Sequence, residues 1–218
     1  GKTRRPALIL KNENGVYDSV AIYKDKKTAE PLVVLGDAFV STVYDELVID
    51  ESTIKTNRPM RLLSLAEDGS EVRVWIGPAK DIYKDVLWHP APLKKTVIEN
   101  VGPVPCTSMA DARNESLVKT CLLPCWDVYS KWQADAMNYL IDHENYDVVF
   151  SHLHNVDACG HLFWYLSKDR AAIGNNGALY QEAMEWVYRQ TDRYIGAFLH
   201  YLDEGWTILV ISDHGLLV

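Results

Sequence analysis

The sequence predicts a mixed α/β chain made of two unlike parts. Residues 1–124 read as a β-rich, antiparallel part, and residues 125–218 as an α/β part with parallel strands. Three observations carry this. The alternating runs "RLLSLA" and "EVRVWIG" are joined through Asp68-Gly69, a hairpin signal. The runs "YDVVFS" and "WTILVIS" are short and nearly continuously apolar, the composition of strands covered on both faces. Between them stands a long segment with helical periodicity. Strand, helix, strand in that order is one right-handed crossover unit.

The elements follow in chain order. "PALIL" and "SVAIYK" flank the turn signal "NENG", and "PLVVL" comes next. Strands joined by turns this short pair antiparallel. From Asp81 to about Pro124 the pattern weakens. Pro90, Pro92, Pro103, Pro105 and Pro124 punctuate an irregular connection with room for a short helix. "WDVYSKWQADAMNYLIDH" then places Trp126, Tyr129, Trp132, Ala136, Met137 and Leu140 at helical spacing. A strand is expected over 147–152. A long helix follows in "GALYQEAMEWVYRQTDRYIGAFLHYLDEG", with Gly205 placed as its stop, and a second strand over 206–212.

Composition bounds the function. The 218 residues carry a formal charge of −8, and no Lys/Arg cluster forms a stripe. A nucleic-acid footprint needs concentrated positive charge, so that class is excluded. A phosphorylated substrate is not, because bound cations can supply positive charge locally. No apolar run approaches the roughly 18 residues that span a bilayer. Cys106, Cys121, Cys125 and Cys159 lack zinc-finger spacing and read as free thiols of a reducing compartment.

Two polar clusters carry the chemistry. "HLHNVDACGH" follows the first apolar run and "SDHG" follows the second. With the two strands parallel, both clusters lie at carboxyl ends, on the edge where open α/β sheets bind ligands. Asp157 and His161 are four apart, so a helical turn puts them on one face. Asp213 and His214 are adjacent at a strand end. Carboxylate plus imidazole suits zinc, manganese or iron better than calcium, which asks for oxygen ligands. Two such pairs resemble the halves of a two-metal site, whose ions lie roughly 3.5–4 Å apart. His152 and His154 are candidates for supporting a ligand carboxylate. His89, His143 and His200 are assigned no chemistry, and Trp164, Tyr165, Trp186 and Tyr194 are read as core. Each cluster alone is weak, since Asp-His-Gly is frequent in turns.

In this order "HNVDACGH", "TDRYIGAFLHYL" and "TILVISDHG" resemble the alkaline phosphatase superfamily, nearest its type I phosphodiesterase/nucleotide pyrophosphatase branch. The resemblance covers about Tyr146 to Leu216. It implies that Asp157 and His161 bind one metal and Asp213 and His214 the other, both most simply zinc. It further implies a Thr or Ser nucleophile, an early aspartate and a late histidine. None of these is found at a matching position. Asp37 with Ser41 and Thr42, or Thr107 and Ser108, lack the family's local pattern. The expectation is therefore a partial chain with its nucleophile outside it, and with residues 1–124 as an insertion or cap. The implied activity is hydrolysis of a phosphoric diester or pyrophosphate. The alternatives are a phosphomonoesterase or phosphomutase of the same superfamily, or a non-catalytic binding module.

Overall fold

The computed structural model describes residues 3–49, 51–84, 88–109, 112–172 and 177–215. The chain divides into two compact units. One comprises Gly1–Thr96 with Pro103–Ser108, the other Val97–Gly102 with Met109–Val218.

The first unit is antiparallel β structure. Strands β1 (Ala7–Lys11), β2 (Tyr17–Ile22) and β3 (Val33–Leu35) form one sheet in that order. In the β1–β2 turn, Asn12 Oδ1 accepts from the amides of Asn14 and Val16, and Gly15 takes φ +79°. The second sheet runs β4 (Val40–Ile49), β5 (Ser52–Leu65), β6 (Val72–Ile76), with β7 (Lys80–Asp81) also paired to β5. The β5–β6 hairpin expected around Asp68-Gly69 is present. Asp68 Oδ1 accepts from the amide of Ser70, and Gly69 takes φ +76°. Val20, Ile22 and Leu35 of the first sheet share one apolar core with Val43, Met60 and Leu62 of the second. Burying each such side chain stabilises by about 1.5–3 kcal/mol.

The β4–β5 hairpin carries no Gly or Pro at its turn, which is why the sequence does not announce it. Glu51 takes φ 65° there. Pro59 lies in the middle of β5, where a missing N–H should break a ladder. The ladder yields around it: Val40 pairs with Met60 and Val43 with Arg58, with a register shift between them. The bulge absorbs the proline. Asp45 of β4 is nearly buried and is gripped by Arg5 through Nε and Nη2, the latter at 2.8 Å.

The second unit is helical. Helix α1 (Leu93–Asn100) lies in the connection, and only its last residues belong to this unit. α2 (Glu115–Leu117) runs through a π-turn over Val118–Leu122 into α3 (Leu123–His143). α4 (Asn155–Ala172) and α5 (Gly177–Gly196) follow. On α5, Tyr180, Ala183, Met184, Val187, Gln190 and Tyr194 are buried, a stripe at spacings of three and four. The expected long helix ends at Gly196. A 3-10 turn over Leu199–Leu202 follows, and Gly205 closes it at φ +89°. A positive φ is strained for a side chain but not for glycine, so Gly205 closes the 3-10 turn, whereas the α-helix it was expected to stop ends earlier, at Gly196.

The parallel strands expected over 147–152 and 206–212 are a correction. Among the described residues both sheets are antiparallel, and neither segment belongs to a strand. The apolar runs are there, but a strand is made by its hydrogen-bonding neighbours, and no described strand forms a ladder with them. Their side chains accordingly face solvent: Val148 is 84% exposed and Leu209 81%. A shallow groove of about 190 Å³ beside α3 is lined by Met137, Leu140, Tyr146, Val148 and Phe150. Among the described residues no helix is long and apolar enough to cross a membrane.

Candidate metal centre

The site begins with α4. Its buried face, Asn155, Cys159, Phe163 and Leu166, recurs at spacings of three and four and turns towards α5, where Phe163 meets Tyr180 at 6.0 Å between ring centroids. The opposite face then carries Asp157, His161 and Tyr165. Asp157 sits in the first turn, where the helix dipole favours a carboxylate. Asn155 fixes the start of the helix. It is fully buried, donates to Val187 O and Gln190 Oε1, and accepts from Thr191 Oγ1. Gln190 in turn donates to Leu123 O, which ties α5 to the start of α3.

Around Asp157 three imidazoles converge. His161 Nε2 lies 3.0 Å from Oδ1, His154 Nε2 lies 3.0 Å from Oδ2, and His214 Nε2 lies 3.7 Å from Oδ1. His214 is also 3.8 Å from Asp213 Oδ1. Asp157 and His161 are thus brought together with Asp213 and His214, although no sheet edge carries them. His154 joins them, and the His152 ring leans edge-on against it at 5.2 Å. The Asp157 side chain is 23% exposed and the histidines about half, so the cluster opens to solvent. Residues 216–218, where the resemblance ends, lie outside the described residues.

Tautomers follow from the hydrogen bonds. His214 Nδ1 lies 3.0 Å from the Gly215 carbonyl, which can only accept, so that nitrogen carries the proton. In the neutral ring Nε2 then points a lone pair at Asp157. Ser212 Oγ donates to the carbonyl of His214 and holds the turn. The Gly215 carbonyl, and then the Asp213 carboxylate, hold the His214 imidazole above its ordinary range. Two carboxylates among three imidazoles leave negative charge that a proton or a cation must balance. Among the described residues, no three or more His, Cys, Asp or Glu side chains form a ready coordination shell. The cluster is a converging set of imidazole and carboxylate groups at ion-pair distance.

Sequence reasoning missed Asn155 and Gln190. Asn155 had a signal, an Asn at the mouth of a helix, but Gln190 is an ordinary helical residue whose burial only the packing reveals. Asp37, Ser41, Thr42, Thr107 and Ser108 all belong to the first unit.

A model of the type I phosphodiesterase / nucleotide pyrophosphatase family matches residues 82–217, more than half of the chain. No curated protein and no solved structure matches it. The class so defined is that of hydrolases of phosphodiester and pyrophosphate bonds, generally metal-dependent and acting on small phosphate esters. Within that class, the chain belongs to the type I phosphodiesterase/nucleotide pyrophosphatase family.

Proposed function

We propose that the Asp157 cluster holds two divalent cations, zinc first and manganese as the alternative, and serves hydrolysis of a phosphoric diester or pyrophosphate. Asp157 and His161 would hold one cation, Asp213 and His214 the other. The observation that carries this is the approach of His161, from α4, and His214, from the turn after residue 212, to one oxygen of Asp157.

The donor set fits such ions. Ligands about 2.0–2.2 Å from a tetrahedral cation lie roughly 3.3–3.6 Å from one another. The Asp157–His161 and Asp213–His214 separations, 3.0 and 3.8 Å, lie on either side of that spacing. His214 already donates its other ring nitrogen to a carbonyl, the arrangement that orients a metal-binding imidazole. Bound cations would supply Lewis-acid polarisation of a phosphoryl oxygen. The chain's own residues do the rest. Asp157 and Asp213 set the negative charge, His154 steadies the Asp157 carboxylate, and the open face admits an ester.

The Thr or Ser nucleophile of this reading lies outside these 218 residues, which in isolation bind zinc weakly and turn nothing over. Residues 125–218 are then part of an α/β core of alkaline-phosphatase type, and 1–124 an insertion or cap. The exposure of Val148, Phe150, Leu209 and Ile211 supports this, since they have the composition of core strands without their neighbours.

The test is turnover of bis-p-nitrophenyl phosphate against p-nitrophenyl phosphate by the full-length protein, with and without zinc. Zinc-dependent preference for the diester is expected. Preference for the monoester would move the protein to the phosphatase branch. Turnover unchanged by Asp157→Asn would remove the site.

A further inference from the structure

Three polar side chains from three elements meet just upstream of the cluster. Gln133 of α3 donates through Nε2 to Ser151 Oγ at 3.2 Å and to the carbonyl of His152 at 2.9 Å. Ser151 Oγ also shares a hydrogen bond with Tyr194 Oη of α5. We propose that Gln133, Ser151 and Tyr194 form a clamp that positions His154 against Asp157, and so are positioning residues of the candidate metal centre. The proposal rests on the metal reading above.

The geometry singles out His154. The chain is gripped at Ser151 and at the His152 carbonyl, and again at Asn155, whose side chain is locked to α5. His154 lies between those anchors, with its Nε2 3.0 Å from Asp157 Oδ2. Without regular secondary structure over 147–154, no ladder fixes that backbone, so side-chain ties must. The ties also have a cost. Gln133 Oε1 is buried with no donor among the described residues. The amide is turned to serve the backbone it holds rather than its own oxygen, because the His152 carbonyl can only accept. Burial pushes the Tyr194 phenol further above the neutral range, and either hydroxyl of the Ser151–Tyr194 pair can donate.

Two measurements on the full-length protein test the clamp. The first is amide exchange over residues 151–156 without metal, in Ser151→Ala, Tyr194→Phe and the milder Ser151→Thr. The second is the affinity for zinc alone, by calorimetry, in the same proteins. The first two variants should exchange faster over 151–156 and bind zinc roughly tenfold more weakly, while Ser151→Thr stays near wild type. Global melting temperatures should remain close, which separates positioning from general loss of fold. Wild-type exchange in Tyr194→Phe and Ser151→Ala would overturn the clamp. Faster exchange with unchanged zinc affinity would overturn its positioning role alone. Failure of the wild type to take up zinc would overturn the metal reading, and the positioning role with it, and would be seen directly in the unmutated protein.

Discussion

Asp157 is the residue on which the candidate centre turns, because three imidazoles from both motifs approach its carboxylate. His161 and His214 approach its Oδ1 and are 63% and 54% exposed at the side chain. Replacing either by Ala removes a donor without opening a core. We therefore expect His161→Ala and His214→Ala to cut phosphodiester turnover by at least about 100-fold, a second-sphere loss being about 10–100-fold. Melting temperature should barely change, and turnover with calorimetric melting of the same samples checks both halves. Cys159 behaves in the opposite way. It is fully buried beside Met109, and burial pushes its thiol from an ordinary 9.0 up to about 12. It should resist alkylation in the folded protein at neutral pH. A group raised on folding contributes stability that is complete below its unfolded value and is lost as pH rises through the folded one. Stability should therefore fall from about pH 9.0 towards 12. Tyr194 and Tyr201, also raised from 10.0, act with the same sign. Denaturant unfolding across that range checks this, and Cys159→Ala should flatten its first part.

At the scale of elements, the ties between helices can be broken one at a time. Asn155 and Gln190 are fully buried and hydrogen-bonded to one another and to the Val187 and Leu123 carbonyls, and Asn155 Oδ1 accepts from the Val156 amide and the Thr191 hydroxyl. Asn155→Ala leaves Gln190 Oε1 short of a donor, whereas the Val187 carbonyl keeps the Thr191 hydroxyl, and an unmet buried group costs about 1–3 kcal/mol. Chemical denaturation should show a loss of about that size, with the second unit affected. In the first unit, Arg5→Ala strands the carboxylate of Asp45, 2% exposed at its side chain, and should cost about 3 kcal/mol. The legibility of these elements in the sequence was uneven for physical reasons. The "EDGS" hairpin and the amphipathic α3 and α5 were readable because local turn chemistry and periodicity decide them. The β4–β5 hairpin was not, since Glu51 adopts a positive φ that only the flanking pairing enforces. α4 has almost no amphipathic signal in "NVDACGHLFWYLSKDRAA", because its exposed face carries Tyr165 as well as the polar cluster.

For the whole molecule, the family was legible from three short motifs in order, while the sheet expected to align them was not realised. The motifs converge through the α4–α5 pair and the His214 turn, without a ladder between 147–152 and 206–212. Strand composition was correctly seen, but strand formation depends on neighbours that a single segment does not encode. Val148, Phe150, Leu209 and Ile211 are exposed apolar side chains that the proposed core would cover. The most direct test of the central proposal is a crystal of the protein grown with zinc, with diffraction measured at the zinc absorption edge. The account predicts an anomalous peak about 2.0–2.2 Å from Asp157 Oδ1 and His161 Nε2, lost in Asp157→Asn. Zinc bound only elsewhere, or a peak that survives the substitution, would contradict it.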